Sequence, residues 1–365
     1  MRPDDAVNIR GLKRMAADFA GKVAPPKCQP STGKKVAIVG GGPGGLSTAY
    51  YLQLMGHQVV VYEMLPELGG MLRYGIPNYR LPKDRLDDDI NAILETGVQV
   101  KYGLRIGIDI TINALREEYD AVLITIGAST DKKLGIEGED ADGVISAVKF
   151  LRDVGKNIAV DLRGQEVCVV GGGNVSMDAV RTAVRLGAKK VTIVYRRRVA
   201  DMTALRDEIE GAVAEGIEVA TLKAPVRIET DNDYSVKGLW VRPQMISTIK
   251  NGRASVKDTG EADFLIPCTT VIVAIGQDIE SQHFADAGVP VNRGVIQTGR
   301  HGGFDLLPGV FAGGDCATGP ATVIKAIGAA KVLAANIDEY LGFHHVIQSD
   351  VTVPSPNMAD RNPCG

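Results

Sequence analysis

Two stretches of the sequence carry the glycine spacing that lets a protein backbone approach a dinucleotide phosphate. In the first, Gly40, Gly42 and Gly45 follow the apolar run 36–39 with the spacing G-x-G-x-x-G. Glycine permits a tight turn here, and the helix that opens there offers free N–H groups to an anion. Glu63 ends the next predicted strand, where a carboxylate would accept hydrogen bonds from ribose hydroxyls. Together these features predict a dinucleotide site, and the alternative is an unoccupied glycine-rich turn.

The second stretch begins at residue 166 and repeats the pattern. Gly171 and Gly173 occupy the first two glycine positions, and Ser176 stands at the third. A small residue still allows a helix to pack closely on a strand, so we expect this turn to bind a dinucleotide as well.

The ribose position of the second stretch is basic instead of acidic. Arg196, Arg197 and Arg198 follow the second predicted strand, where an NAD site would carry an acid. Guanidinium groups pair with a 2′-phosphate that a carboxylate would repel, so the pattern predicts NADP(H). The alternative is a solvated run of charges paired with nearby acids, and the sequence offers Asp201, Asp207 and Glu208.

A third candidate is the turn Gly313-Gly314-Asp315, which lies between a short apolar strand and a helix predicted to start near Ala321. An acid fixed beside a helix N-terminus suits a polyol hydroxyl and the electron-rich edge of a flavin. The alternative is an aspartate that only caps the turn.

The elements that position these residues alternate strand with helix, which predicts an α/β fold with mostly parallel sheets. Two Rossmann-like units are expected, each followed by an apolar strand that ends in glycine. In the stretch 217–265, short predicted strands are separated by polar turns, which predicts an antiparallel flap. Other predicted elements are an amphipathic helix over 4–20, a linker over 21–33, a loop over 67–82, helices over 83–95, 112–118 and 203–216, and strands over 98–102, 119–127 and 270–276.

Composition excludes several function classes. The 365 residues carry a formal charge of −3, which gives no indication of nucleic-acid or membrane binding. The apolar runs are too short to span a bilayer and no signal peptide is visible, so the cytoplasm is the expected location. The five cysteines include no C-x-x-C, which argues against a redox disulfide or a cluster held by this chain. We predict no metal site, and we expect the five histidines at the surface, the pair His344 and His345 included.

Four motifs resemble those of one family. GKKVAIVGGGPGGLSTAYYL, LGGMLRYGIPNYRLPKD, VVGGGNVSMDAVRTAVRLGAKKVTIVYRR and GVFAGGDCATGPATVIKAI are similar to the NADPH-dependent glutamate synthase small subunit. They also resemble the FAD/NADPH domains of dihydropyrimidine dehydrogenase and the large subunit of ferredoxin:NADP transhydrogenases. The resemblance covers residues 5 to about 345.

The resemblance implies that an NADP(H)-binding domain is inserted into an FAD-binding domain. The implied segments are an N-terminal helix and linker (1–29), the FAD domain (30–147 and 287–345), the NADP(H) domain (148–286) and a C-terminal tail (346–365). The implied FAD contacts are Gly40, Gly42, Gly44, Gly45, Glu63, Gly70, Arg73, Gly314, Asp315 and Thr322. The implied NADPH contacts are Gly171, Gly173, Asn174, Arg196 and Arg197.

Members of this family usually carry Fe–S clusters on an N-terminal domain, which this sequence lacks. Either the chain is a fragment, or the Fe–S clusters belong to partner chains. The leading hypothesis is a subunit that passes electrons from NADPH through FAD to Fe–S or flavin centres of partner subunits, with no general base required. The alternatives are a transhydrogenase or electron-bifurcating module that uses NAD(H), a self-contained flavin reductase of a small acceptor, and a non-catalytic scaffold that docks through its N-terminal helix. Arg73, Lys325 or the helix near Ala321 would tune the flavin.

Overall fold

A computed structural model describes residues 7–21, 23–250, 253–299 and 301–346. The start of the predicted first helix and nearly all of the predicted tail, with Cys364, lie outside this part of the chain. The helices are α1 Ile9–Ala20, α2 Pro43–Leu54, α3 Met71–Tyr74, α4 Lys83–Leu94, α5 Ile112–Glu118, α6 Ala147–Gly155, α7 Asn174–Arg185, α8 Arg206–Ala214, α9 Gln282–Asp286, α10 Asp315–Thr318 and α11 Val323–Tyr340, with a 3₁₀ turn at Val199–Asp201.

The strands follow the same chain order. They are β1 Lys35–Val39, β2 Gln58–Glu63, β3 Gln99–Tyr102, β4 Ala121–Ile124, β5 Thr130–Asp131, β6 Val144–Ser146, β7 Glu166–Val170, β8 Lys190–Tyr195, β9 Glu218–Thr221, β10 Lys223–Thr230, β11 Val236–Lys250, β12 Arg253–Asp258, β13 Phe264–Pro267, β14 Thr270–Val273, β15 Gln277–Asp278, β16 Val291–Asn292, β17 Val295–Ile296, β18 Gly303–Phe304 and β19 Leu307–Ala312.

Two separate sheets carry the two glycine motifs. The first has the order β18-β19-β4-β1-β2-β3 and is parallel except for the hairpin β18–β19. The second has the order β6-β14-β7-β8-β9 and is parallel throughout. In the sequence, some strands of the first sheet therefore precede those of the second sheet and others follow them. The chain passes between the two sheets twice, and the two connecting segments pair with each other as the short antiparallel strands β5 and β15.

Both sheets are covered on both faces, which explains their short and mainly apolar central strands. One face of the first sheet packs against α2, α4 and α11, and the other against α5 and Phe284. Helices α6, α7 and α8 cover one face of the second sheet. Its other face meets the antiparallel sheet β10–β13, through Ile228, Leu239 and Val241. Strands β10–β13 of the predicted flap are thus confirmed as antiparallel and serve as the cover that helices supply elsewhere, whereas β9, which the prediction included, pairs parallel with β8.

Three local predictions need correction. The predicted loop 67–82 contains the single helical turn α3, which begins after Gly70, whose φ is 51°, and packs against α6. The last helix, α11, starts at Val323 instead of Ala321, with Thr322 as its N-cap. The flap was expected to consist of short strands, yet β11 is 15 residues long because it pairs with three neighbouring strands.

The expectation of surface histidines is wrong for His57, which is completely buried beside the start of β2. Its Nε2 lies 2.9 Å from Asp338 Oδ1 on α11, and its Nδ1 lies 2.8 Å from Thr32 Oγ1. His345, half-buried, places Nδ1 2.8 Å from the same Asp338 oxygen. This hydrogen-bonded triad fastens the end of α11 to the sheet, a contact between residues 281 positions apart.

The ligand atoms of His57, Asp338 and His345 lie within 4.8 Å of one another, a spacing that also suits a metal ion. However, tetrahedral zinc ligands at 2.0–2.1 Å from the ion would lie roughly 3.3 Å apart. The shorter N···O distances are those of hydrogen bonds. We therefore describe the group as a hydrogen-bonded triad.

Burial lowers the pKa of His57 below its usual value. The unfolded chain consequently binds a proton near pH 6.5 that the folded protein takes up only at lower pH. The stability contributed by neutral His57 is complete above about pH 6.5 and is lost as the pH falls through the folded-state pKa. We expect the thermal midpoint of His57→Gln to depend less on pH than that of the wild type between about pH 7 and 5. The exposed His344→Gln should keep the wild-type slope, and equal slopes for His57→Gln and wild type would contradict the prediction.

Candidate functional site

A cleft of about 1170 Å³, its open mouth included, lies at the carboxyl ends of the first sheet's central strands. In parallel α/β sheets this edge is where ligands bind. The glycine turn after β1, the end of β2 and the turn after β19 form much of its wall. Of the residues predicted from the sequence, those that line the cleft are Gly40, Gly42, Gly44, Glu63, Gly70, Gly314 and Asp315.

Two glycines allow the backbone to pack closely at and behind the wall of this cleft. A Cβ on Gly45 would lie 2.0 Å from the Gly40 carbonyl oxygen, so only glycine lets α2 pack this closely on the turn after β1. A Cβ on Gly70 would lie 2.8 Å from Gly42 Cα, so the segment before α3 rests directly on the first glycine turn. Gly45 therefore acts from behind the cleft wall, whereas Gly70 is part of it.

Glu63 is buried at the end of β2, with its carboxylate held in place by the backbone. Its two oxygens accept hydrogen bonds from Gly41 N and Leu65 N, each 2.8 Å long. Burial raises the pKa of this carboxyl, and the two N–H donors oppose that shift. A fixed acceptor at this edge of the sheet is the arrangement that a ribose diol requires.

Asp315 begins α10 and also lines the cleft. Burial raises the pKa of its carboxyl, and a hydrogen bond from the Ala321 backbone opposes this rise. The carboxylate thus accepts a hydrogen bond from the backbone just before α11. Its position in the wall of the cleft still leaves it available to a ligand.

Three candidates for the flavin environment do not line the cleft. The guanidinium of Arg73 is buried and engaged with Asp87, and its Nε donates to the Leu68 carbonyl at 2.5 Å. Thr322 and Lys325 are exposed near the start of α11. The structure therefore favours a structural part for Arg73, which holds the segment before α3 against α4.

The sequence analysis missed a group at one end of the cleft. Arg105 forms an ion pair with Glu280, and both line the cleft together with His283. Arg105 follows β3, so the convergence of parallel strand ends could have indicated it. Glu280 and His283 lie 175 or more residues after Arg105 in the sequence, and no local sequence pattern indicates that they line the same cleft. Arg152 of α6 also lines the cleft and donates to the Ser129 carbonyl at 2.5 Å.

The second glycine turn has the same construction on the second sheet. Gly173 caps α7, and Asn174 is the first helical residue. Ser176, the residue in the third glycine position, is fully buried, and its hydroxyl donates to the Ala274 carbonyl at 3.3 Å. Asn174 Oδ1 accepts from Leu205 N at 2.9 Å, which ties the turn to the segment before α8.

The three arginines after β8 have three different environments. Arg198 pairs with Asp201 through its backbone and side chain, so the charge-run alternative holds for this residue. Arg197 is half-buried and donates from Nε to the Ala254 carbonyl at 2.7 Å. Arg196 is exposed and forms no ion pair within the described residues. Of the two predicted phosphate contacts, Arg196 is therefore the one whose guanidinium is free.

These features define a class of protein: two parallel α/β units, each with a glycine turn that opens a helix, one ending in an acid and one in arginines. The cleft, whose wall includes the glycine turns after β1 and β19, fits a dinucleotide such as FAD. Solved structures agree with the fold. The match to Mycobacterium tuberculosis FprA in complex with NADPH has a TM-score of 0.74 at 21% identity, over 86% of this chain and 85% of that chain.

Sequence comparison then identifies the family. The pyridine nucleotide-disulphide oxidoreductase model matches residues 34–330, and the chain belongs to this family. Its sequence is 38% identical to the beta subunit of an NADP(+)-dependent formate dehydrogenase from Moorella thermoacetica, over 93% of this chain and 52% of that protein. It is 34% identical to the Escherichia coli K12 glutamate synthase [NADPH] small chain, over 85% of this chain and 69% of that one.

Family membership confirms the predicted oxidoreductase class, the resemblance to the glutamate synthase small subunit, and FAD and NADP(H) as cofactors. The chain spans about half the length of the formate dehydrogenase subunit it matches. None of the helices in the described ranges has the length and apolar composition needed to cross a lipid bilayer.

The close packing at Gly45 predicts that this position tolerates no side chain. Gly45→Ala would force α2 away from the turn after β1, and overpacking of this kind costs about 1–3 kcal/mol of unfolding free energy. We expect lower stability and a reduced flavin content in the purified protein, measured by denaturant unfolding and by visible absorbance. Gly328→Ala is the matched control, because a Cβ there meets nothing within 4 Å and alanine favours a helix. If both variants retained the flavin and stability of the wild type, the assigned constraint at Gly45 would be wrong.

Proposed function

We propose that this chain is an electron-input unit in which NADPH reduces FAD, and from which electrons pass to Fe–S or flavin centres of a partner. The observation that carries the proposal is the contrast between the two ribose positions. Glu63 is buried and fixed after β2, whereas Arg196, after β8, is exposed and forms no ion pair with any residue that the structure describes. The first unit thus suits a cofactor that stays bound, and the second a phosphorylated nucleotide that exchanges with solvent.

Each unit has a separate task in this proposal. The cleft residues Gly40, Gly42, Gly44 and Gly70 would accept the FAD pyrophosphate, and Glu63 its ribose. The turn from Gly171 to Asn174 and the guanidinium groups of Arg196 and Arg197 would hold NADP(H). Bound FAD would supply the redox chemistry of a hydride acceptor and single-electron donor. The protein binds, orients and shields the reactants, and no general base is needed.

The domain division follows the same reasoning. We propose that residues 30–147 and 287–345 form the FAD-binding unit and that residues 148–286 form the NADP(H)-binding unit. The two sheets support this division, because the strands of the first lie on both sides of the second in the sequence.

Two observations support a partner. Relatives of this chain are named as a beta subunit and a small chain, which supports a place in a larger redox complex. The apolar face of α1 is also exposed, with Leu12 at 56% and Phe19 at 82% exposure, and none of its described residues is buried. This exposure supports the hypothesis that α1 contacts a partner. The cytoplasmic location stays a prediction.

An anaerobic titration tests the proposal. We expect the purified chain to bind a yellow flavin, and NADPH to bleach it far more efficiently than NADH. Absence of flavin would contradict the function, and equal reduction by NADH would favour a transhydrogenase or bifurcating module that uses NAD(H). Rapid turnover with a small acceptor in the absence of a partner would favour a self-contained reductase. Copurification with an Fe–S protein would favour the subunit hypothesis.

The nucleotide preference has its own prediction. Removing one charge-assisted contact to a phosphate costs roughly 1.5–3 kcal/mol, so Arg196→Ala should raise the NADPH concentration for half-maximal flavin reduction about tenfold to a hundredfold. The corresponding value for NADH should change little. Arg198→Ala is the control, because its guanidinium already pairs with Asp201. An unchanged NADPH preference in Arg196→Ala would remove the role assigned to this residue.

A further inference from the structure

The two sheets are connected by two chain crossings that pair as β5 and β15, with two residue pairs in register. So short a pair of strands does not prevent one unit from rotating relative to the other. The relative orientation of the two units must therefore depend on contacts elsewhere. Interfaces of this kind within one chain permit domain motion unless they are large or specifically fixed.

A buried ion pair supplies one such contact. Arg80, in the segment between α3 and α4, places Nη1 2.6 and 2.7 Å from the two carboxylate oxygens of Asp178 on α7. The Asp178 side chain is only 5% exposed and that of Arg80 is 21% exposed. Arg80 Nε also lies 3.2 Å from Glu208 of α8. Next to it, the ring of Tyr79 packs under the guanidinium of Arg185, with 3.9 Å between Cζ and the ring centroid.

Both members of this pair are attached rigidly to a proposed nucleotide site. Asp178 lies one helical turn after Asn174, so any shift of Asp178 moves the second glycine turn with it. Arg80 lies near the end of the segment that starts at Gly70, and Gly70 lines the flavin cleft. Lys83 Nζ braces this segment by donating to the carbonyls of Leu72 and Ile76, at 2.9 and 2.6 Å.

We infer that Arg80 and Asp178 are positioning residues that fix the nucleotide-binding helix α7 in register with the flavin cleft. This inference rests on the proposed function, since it assigns the first unit to FAD and the second to NADP(H). Hydride transfer requires the reacting atoms to meet within about 3–3.5 Å, and a misplacement of 1 Å can cost a hundredfold in rate. The pair would therefore affect the rate of hydride transfer and have little effect on the affinity of the second unit for the nucleotide.

General stability is a weaker explanation of the pair. The desolvation of two charges commonly offsets their attraction, so a buried ion pair is poor evidence for a gain in stability. Fixing one orientation among several is a better-attested use of such a pair. The neighbouring charges support this role in orientation. Asp178 has Arg80 as its one ion-pair partner among the described residues. Glu208, by contrast, also pairs with Arg181, at 2.6 Å, and so does not depend on Arg80.

The test uses Arg80→Gln, Asp178→Asn and the double variant, in the full chain with its flavin. Arg85→Gln is the matched control, since Arg85 is an exposed residue of α4 whose Nη1 lies 3.5 Å from Asp88. Four quantities are measured: the flavin reduction rate at saturating NADPH, the dissociation constant of NADP⁺, the long-wavelength absorbance from stacking of nicotinamide on flavin, and small-angle X-ray scattering of the protein.

For Arg80→Gln and Asp178→Asn we expect the reduction rate to fall at least about tenfold, while the dissociation constant of NADP⁺ changes less than about threefold. The long-wavelength absorbance should weaken, and the scattering should indicate a broader range of shapes. The double variant should resemble each single variant, because residues that act as a pair are not additive. The control should match the wild type in all four measurements.

Wild-type rates and scattering in the single variants would overturn the inference. So would an equal loss of rate and affinity, or failure of all three variants to fold, since either result indicates a structural role only. If Arg80→Gln alone fails to fold, Asp178→Asn and the double variant decide. A wild-type chain that NADPH cannot reduce would refute the proposed function, and the scattering comparison would still decide whether the pair fixes the two units.

Discussion

The structure depends on the contact between a helix and the turn that precedes it. At Gly45 the backbone of α2 comes so close to the Gly40 carbonyl that a Cβ on Gly45 would lie 2.0 Å from the carbonyl oxygen. This contact sets the direction of α2 and places its free N–H groups at the edge of the sheet. At the corresponding position of the second unit stands the small, fully buried Ser176, whose hydroxyl donates to the Ala274 carbonyl. Close packing of a helix on a turn is therefore the shared constraint, and glycine is one of two ways in which this chain meets it.

On this common frame, the residue at the end of the second strand gives each unit its chemistry. Glu63 is buried and held by two backbone N–H groups, so its negative charge is fixed in direction and shielded from water. Arg196 is exposed and without an ion pair among the described residues, whereas Arg198 is neutralised by Asp201. A run of three arginines thus contains residues with different tasks, and only the structure separates them. The sequence indicated the basic character of the site, but the local pairing of each guanidinium depends on the 3₁₀ turn and on the flap strand β12.

The sequence predicted most strands and helices because their signals are local: apolar runs, glycine spacing and helix ends. It also predicted the acid at Glu63 and the turn at Asp315, since both follow strands whose carboxyl ends meet at one edge. It failed where a side chain depends on a distant partner. His57 was expected at the surface, yet Asp338, 281 residues away, gives it a buried acceptor. Arg73 was expected at the flavin, yet Asp87 and the Leu68 carbonyl engage it. No periodicity in the sequence carries information about such pairs.

The same distinction explains why the contacts between the two units escaped prediction. Each glycine motif is complete within about thirty residues and can be recognised alone. The relation between the motifs is set by side chains such as Arg80 and Asp178, which are 98 residues apart and lie outside both fingerprints. A two-nucleotide enzyme therefore needs two kinds of information: local motifs that bind each nucleotide, and long-range contacts that make the two bound nucleotides meet.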